Sequence, residues 1–334
     1  IARALGLHVS TVSKALKGDP AIAVSTVKTV REKAKELGFV PDPMLSALSA
    51  YRRRLRPESY HGTLAWIFNH AQDCPMDHFS GYADYRLGAE QRAQELGYRL
   101  DSFWVDDRPG ALRTLQRMLK TRGIHGVMLA PQATPGKDMA MDWETLAAVG
   151  IGYTLPEPHL DRVTNDHFAT MTELVTRLRE HGCRRIGCYL WEEDNLRMGK
   201  RAQSAFLTLT RQECREVCTY RNFNGEAFRS WIRQHQLDAV ICRGREQLEM
   251  LRRAGVRIPG DLGLAGYALA ETEAELSGMY HNNRQIGAAA AEWVISKLER
   301  GQTGLPSCPR RLLVSSEWLE NGSLQNRKKC VYMN

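Results

Sequence analysis

Apolar and polar positions repeat with helical spacing through the first forty residues. The apolar positions fall where two short crossing helices bury their contact, and a third amphipathic helix is predicted over residues 24–37. Gly6 stands at the corner between the first two helices, where a residue without a Cβ adopts a positive φ. The inward-facing positions of these two helices are Ile1, Leu5, Leu7, Val12, Ala15 and Leu16. The pattern predicts a helix-turn-helix, and an ordinary three-helix bundle is the alternative.

The second predicted helix has small, polar and cationic side chains on its outward face. Such a face fits the major groove of DNA, where side chains contact base edges and cations contact phosphates. The predicted DNA-binding positions of this segment are Val9, Ser10, Thr11, Ser13, Lys14 and Lys17. We expect Val9, Ser10 and Lys14 to read bases, and Thr11 and Lys17 to contact phosphates.

From residue 63 onwards, short apolar runs alternate with amphipathic stretches. The predicted strands are residues 63–68, 99–105, 126–130, 185–190, 239–242 and 262–267. The predicted helices are residues 79–96, 110–121, 141–148, 167–181, 200–210, 225–235, 247–254 and 286–300. Alternation of strand and helix predicts parallel sheets with helices on both faces. Two such units in tandem predict a ligand cleft between them.

Positive charge is concentrated at the N-terminal end of the chain. The 334 residues have a formal net charge of +8, and residues 1–60 contain eleven Lys or Arg and five Asp or Glu, which is +6 of that total. A small basic module attached to a nearly neutral body is expected of a protein that binds nucleic acid through one end.

Neither the cysteines nor the motifs indicate an enzyme or a metalloprotein. The eight cysteines lack the paired spacing of a zinc site, and no G-x-S-x-G, P-loop or H-E-x-x-H signature occurs. We therefore expect no catalytic residues, no metal and no cofactor. The sequence has neither a signal peptide nor an apolar run of eighteen residues, so we expect a cytoplasmic protein with reduced thiols and no membrane contact.

Several segments resemble one known family. IARALGLHVSTVSKALKGDPAI and REKAKELGFVPD are similar to the headpiece of the lactose-repressor (LacI) family of bacterial transcription regulators. ELVTRLREHGCRRIGCYL, RAGVRIPGDLGLAGY and RLLVSSEW resemble the regulatory domain of the same family. Family members have several more residues before the isoleucine, so we expect this chain to begin inside the first helix.

The resemblance implies an α/β protein with an all-α helix-turn-helix headpiece. The body is then a periplasmic-binding-protein-like pair of subdomains built from doubly wound parallel sheets. The implied divisions are a headpiece at 1–41, a hinge or linker at 42–61, a body at 62–320 and a disordered tail at 321–334. Within the body, the subdomains are expected at about 62–159 and 160–285, with crossovers between them.

The resemblance also implies a function. We expect a homodimeric repressor that binds a pseudo-palindromic DNA operator and is gated by a small sugar-like metabolite. Leu48 matches the family's leucine, which wedges into the minor groove from a hinge helix and kinks the duplex. Asp42 and Leu45 depart from the family's hinge pattern, and a solvated basic linker is the alternative for this segment.

Five residues are expected to contact the effector. Arg201 matches the family's arginine that binds ligand hydroxyls or a carboxylate. Asp166 matches an aspartate at the start of a helix, and Phe223 lies near the place of a ring that stacks on sugars. Asn69 ends the first strand of the body, where polar ligand contacts are common. Arg243 stands where the family has an Asn-Asp pair.

The charges of the cleft are expected to differ from those of the family. Arg243 and Arg245 lie near the position of the lost Asn-Asp pair, and Ala268 replaces an acid that commonly accepts sugar hydroxyls. Loss of an acid and gain of arginines favour an anionic sugar derivative over a neutral sugar. The alternative is a constitutive DNA-binding regulator whose cleft no longer binds a ligand.

Overall fold

The structure is a computed structural model, and it describes residues 1–16, 22–39, 61–72, 80–210, 217–221, 224–269 and 275–325. The N-terminal helices are α1 (Ala2–Leu5), α2 (Val9–Leu16) and α3 (Val24–Glu36). Gly6 ends α1 with a φ of 61°, and Gly38 follows α3 with a φ of 63°. Both glycines therefore adopt the left-handed conformation that the turn and the helix end require. The buried apolar residues of α2 and α3 are Val12, Ala15, Val30 and Ala34.

The body of the chain contains two six-stranded sheets, one in each subdomain. Their strands are β1 (Gly62–Phe68), β2 (Tyr98–Trp104), β3 (Gly126–Leu129), β4 (Ala147–Ile151), β5 (Arg162–Asn165), β6 (Ile186–Trp191), β7 (Val217–Tyr220), β8 (Ala239–Cys242), β9 (Gly263–Leu269), β10 (Ser277–Tyr280), β11 (Arg311–Val314) and β12 (Glu317–Leu319). The first sheet has the order β11-β5-β4-β3-β1-β2, and its strand pairs are parallel. The second has the order β12-β10-β9-β8-β6-β7, with β12 antiparallel to β10.

Helices pack against both sheets. They are α4 (Ser80–Glu95), α5 (Ala111–Thr121), α6 (His167–Glu180), α7 (Glu192–Arg197), α8 (Arg201–Leu209), α9 (Gly225–Gln234), α10 (Arg245–Arg253) and α11 (Asn283–Glu299). Helices α4 and α11 touch through their backbones, because a Cβ at Gly88 would overlap Arg284 and one at Gly287 would overlap Tyr85. Within the described ranges, no helix combines the length and the apolar content needed to cross a bilayer.

The chain crosses between the subdomains at three described places. The first crossing runs from β5, in the first sheet, to α6, which packs on the second sheet. The second runs from β10, in the second sheet, to α11, which packs on the first. The third joins β11 of the first sheet to β12 of the second. Residues 162–165, which were expected in the second subdomain, therefore belong to the first. The reason is strand pairing, since β5 is hydrogen-bonded between β4 and β11.

The helix predicted at 141–148 is wrong. Residues 147–151 form β4, whose five residues are all buried in the interior of the first sheet. A strand buried on both faces is an unbroken apolar run, and its spacing does not distinguish it from a buried helix.

Residues 321–325, which were expected to belong to a disordered tail, pack against the second sheet. The Ser323 hydroxyl accepts the Ser277 N–H at 2.8 Å and donates to the Leu264 carbonyl at 2.6 Å. Leu324 is also buried. These contacts attach residues 321–325 to the second sheet, and residues 326–334 lie outside the described part of the chain.

A buried ion pair joins α11 to the first sheet. The Lys297 ammonium donates to the fully buried Asp161 carboxylate at 2.8 Å, and Arg310 donates to the same carboxylate at 3.1 Å. Burial alone would raise the pKa of Asp161, but the hydrogen bonds from Arg310 and Lys297 hold it below its ordinary value. The carboxylate is therefore ionised in the folded protein.

Candidate functional site

The headpiece presents the predicted DNA-reading face to solvent. Val9, Ser10, Ser13 and Lys14 are exposed on α2, and Thr11 is half-buried. Val9 is 70% exposed, so its side chain is available to a partner. The other two predicted DNA contacts, at positions 17 and 48, lie outside the described residues.

The N-terminus of α2 is capped by a histidine that the sequence analysis did not identify. The Ser10 N–H donates to Nδ1 of His8 at 3.3 Å, and the Ser10 hydroxyl lies 2.7 Å from the same nitrogen. The ring nitrogen thus does what a capping oxygen does at most helix starts. His8 therefore orients Ser10, one of the predicted base-reading residues.

A cavity of about 310 Å³ lies between the two subdomains. Its walls come from loops and helix ends at the carboxyl side of the strands, where parallel sheets place their ligand sites. From the first subdomain it is lined by residues that include Tyr82, Tyr85, Pro131, Tyr153 and Thr154. From the second subdomain and the crossings it is lined by residues that include His167, Trp191, Asp194, Arg197, Arg243, Tyr267, Ala268, His281 and Asn283. This size and this mixture of rings and polar groups suit a small molecule.

Of the predicted effector contacts within the described residues, Arg243 lines the cavity and Asn69, Asp166 and Arg201 do not. The Asp166 carboxylate caps α6 by accepting the Ala169 N–H at 3.0 Å, so its role here is structural. Asn69 is buried at the end of β1. The fifth predicted contact, at position 223, lies outside the described residues.

Arg201 stacks on a residue of the cavity lining. Its guanidinium carbon is 3.6 Å from the ring centroid of Tyr153, which lines the cavity, and Nη1 donates to the Met198 carbonyl at 3.2 Å. A cation at this distance attracts the negative face of the ring. Arg201 therefore helps to fix the Tyr153 ring beside the cavity.

The cavity lining contains both arginines and aspartates, namely Arg197, Arg243, Arg245, Asp84 and Asp194. Arg243 is paired with Asp194 at 3.4 Å and lies over the Trp191 ring at 5.5 Å. Arg245 is paired with Glu249 at 2.8 Å. Each of these cations has an acidic partner, which weakens the electrostatic reason for preferring an anionic ligand.

Two histidines at the base of the cavity are neutral. Nδ1 of His167 lies 2.8 Å from the Tyr267 hydroxyl. Burial, with smaller contributions from His281 and Arg201, lowers the pKa of His167 to about 3. Burial lowers the pKa of His281 to about 4. Both rings therefore offer a donor and an acceptor without charge near pH 7.

Two buried polar atoms of the cavity lining have no hydrogen-bond partner among the described residues. They are Nε2 of His281 and Oδ1 of Asn283. An unpaired buried polar atom costs about 1–3 kcal/mol, which a ligand or a water molecule can recover. The ring of Tyr267 meets His281 edge-on at 5.1 Å between centroids, which fixes the histidine ring beside the cavity.

Arg197 and His281 were missed by the sequence analysis. Arg197 lies on α7, a helix of six residues too short and too polar to show a hydrophobic period. His281 follows β10, a strand whose segment Ser277–Tyr280 contains too few apolar residues to be predicted. The polar run His281-Asn282-Asn283 before a long helix was the available signal.

The chain is similar to transcription regulators over nearly its whole length. Residues 175–319 match the periplasmic binding protein-like domain family. The chain is 23% identical to the HTH-type transcriptional regulator KdgR of Bacillus subtilis (strain 168), with 92% of each protein covered.

Two solved structures share the fold. The complex of the transcriptional regulator CelR with cellobiose has a TM-score of 0.56 at 19% identity and covers 96% of this chain and 98% of that one. The lac repressor dimer bound to operator and the anti-inducer ONPF has a TM-score of 0.57 at 13% identity, with 97% of each chain covered. With its helix-turn-helix headpiece, two crossed subdomains and intervening cleft, the chain resembles the LacI family of transcription regulators.

Proposed function

We propose that this chain is a homodimeric repressor of transcription that binds a pseudo-palindromic operator, one headpiece to each half-site. A small, uncharged, polyhydroxylated metabolite in the cleft changes its affinity for DNA. A single headpiece contacts too few base pairs for tight specific binding, and two-fold pairing doubles the contacts.

The exposed face of α2 supports the DNA-binding part of this function. It offers Val9 and Ser10 for base contacts and Lys14 for a guanine edge or a phosphate. Lys17 is proposed as a phosphate contact because it belongs to the cationic face predicted from the sequence, and Leu48 as the minor-groove wedge by its match to the family. The related fold of the lac repressor is known as a dimer bound to operator.

The unsatisfied polar atoms of the cleft lining are the observation that best supports an uncharged, hydrogen-bonding ligand. His281 and Asn283 each offer a buried polar atom that the described residues leave unsatisfied. Aromatic rings of Tyr153 and Trp191 line the same cavity and can pack against the apolar faces of a sugar. The related fold of CelR occurs in complex with cellobiose, an uncharged sugar. In this arrangement Arg201 acts on the ligand through Tyr153.

The DNA-binding part is tested by selecting binding sites from a pool of random duplexes with the full chain. We expect enriched sequences to contain two half-sites related by two-fold symmetry, and sedimentation to give two chains per duplex. A monomer that binds one half-site tightly would contradict the proposal.

The ligand-binding part is tested by thermal unfolding in the presence of neutral sugars, sugar acids and sugar phosphates. A neutral sugar at about one hundred times its Kd should stabilise the protein by about 2.7 kcal/mol. His281→Ala should abolish this shift, and the control His159→Ala should retain it, because His159 lies outside the cavity lining and its side chain is 70% exposed.

The other outcomes of this screen have definite meanings. Stabilisation by sugar acids or phosphates alone would show that the ligand is anionic, as the sequence first suggested. Intact DNA binding without stabilisation by any of the three classes would identify a constitutive regulator. The replacement of the family's cleft acid by Ala268 is the observation that favours this second function.

A further inference from the structure

We propose that Arg197 is an internal strut that holds the two subdomains together across the cleft when no ligand is bound. In this arrangement a side chain of the protein supplies the bridging contacts between the cleft walls. The effector then binds to a cleft whose walls are already joined.

The contacts of Arg197 extend from one subdomain to the other. The residue lies on α7, which follows β6 of the second sheet. Its Nη1 donates to the Gln132 carbonyl at 2.7 Å and to the Tyr82 hydroxyl at 3.2 Å, and its Nη2 donates to the Ala133 carbonyl. The acceptor loop follows β3 and Tyr82 lies on α4, so all three acceptors belong to the first subdomain.

Burial makes these bonds necessary. Arg197 is 8% exposed, and its guanidinium must satisfy its donors within the protein. The Glu193 carboxylate accepts from Nη2 at 2.7 Å, one helical turn earlier on α7, and neutralises the charge. If the subdomains separated, the Arg197 guanidinium would keep its bond to Glu193 but would lose its bonds to the Gln132 and Ala133 carbonyls at the same time.

Both ends of the strut are held by further hydrogen bonds. In the first subdomain, Gln132 is 1% exposed and its N–H donates to the Thr154 hydroxyl at 2.8 Å. In the second, Asn195 of α7 donates to the Gln203 side chain of α8 at 2.7 Å. A bond between two such supported segments restrains the subdomains rather than one mobile loop.

The strut does not depend on the proposed function. It is therefore tested first without DNA or sugar, on the ligand-free full-length chain. Hydrogen–deuterium exchange is followed at the backbone amides of residues 131–138, and the radius of gyration is measured by small-angle X-ray scattering. Failure of DNA binding or of ligand binding would leave these two readouts intact.

Arg197→Ala should speed exchange of the 131–138 amides by at least about tenfold and increase the radius of gyration. Arg221→Ala is the matched control. Arg221 is also paired with a glutamate of α7, Glu192, at 2.5 Å, but both residues belong to the second subdomain. This control should exchange and scatter as the wild type does.

Two further measurements distinguish a strut from a general folding role. Arg197→Lys keeps the charge but loses the planar guanidinium that donates to several acceptors at once. The exchange rate of the 131–138 amides in this variant should therefore lie between those of the wild type and Arg197→Ala. Millimolar guanidinium chloride should restore slow exchange to Arg197→Ala and should not affect Arg221→Ala. If Arg197→Ala exchanges and scatters like Arg221→Ala, or if Arg197→Lys equals the wild type, the strut is disproved.

Discussion

Replacing the two buried histidines of the cleft should remove much of the acid sensitivity of this protein. His167 and His281 have pKa values of about 3 and about 4 in the folded state, against an ordinary value of 6.5. The groups that face them are Tyr267, Tyr153, Arg201 and each other, and none of these is a carboxylate that would favour their protonation.

The sign of the pH dependence follows from these values. In the unfolded chain both histidines take up protons as the pH falls below 6.5. In the folded protein His281 takes up its proton only near pH 4, and His167 only near pH 3. Stability is therefore complete above pH 6.5 and is lost as the pH falls below it. Between pH 7 and pH 5 the loss is about 2 kcal/mol for each histidine and about 4 kcal/mol for the pair.

The assay is urea unfolding at pH 7 and at pH 5, compared within each protein. A variant with Gln at both His167 and His281 should lose about 4 kcal/mol less than the wild type over this interval, whatever its stability at pH 7. The control His159→Gln should behave as the wild type, because that side chain is 70% exposed. Equal pH dependence in the double variant and the wild type would refute the buried, neutral state of these rings.

Three further predictions concern DNA binding and stability. Exchanging Val9 and Ser10 for other side chains should alter the preferred half-site by about 1–3 kcal/mol per base contact in competition binding, and a uniform loss of affinity would contradict the assignment of the reading face. Leu48→Ala should reduce operator affinity and DNA bending together in a gel-mobility assay, with sedimentation of the dimer unchanged; unaltered bending would favour a plain linker. Asp161→Asn should lower the free energy of unfolding by about 3–5 kcal/mol, because it leaves Lys297 buried without its counterion; a loss under about 1 kcal/mol in urea unfolding would show that the pair is dispensable.

Local sequence signals predicted most of the helices and strands. Residues 239–242 were predicted as a strand and form β8 with the same bounds, and the helix predicted at 167–181 is α6 at His167–Glu180. These segments have clear periodicity or clear end signals. The strands that were not predicted are β4, β5, β7, β10, β11 and β12. Among them, the burial of β4 and the composition of β10 remove the alternating pattern that identifies an isolated strand.

The cleft was predicted less completely than the fold. The family match located Arg243 in the cavity lining, but it also suggested Asp166 and Arg201. Asp166 is used to cap a helix, and Arg201 is used to support an aromatic ring. A sequence pattern indicates which residue type stands at a helix start, but it does not indicate whether that side chain turns toward the helix, a ring or a ligand.

The sequence by itself determined the order of the elements, the parallel character of the sheets and the outward face of the headpiece helix. These properties depend on spacings of a few residues, which local sterics and hydrophobic periodicity govern. Only the tertiary structure decided that Arg197 meets the carbonyl of a residue 65 positions earlier, and that His167 meets Tyr267, 100 positions later. Such contacts depend on the packing of two sheets and on three chain crossings between them, and their charges and pKa values follow from the burial that this packing produces.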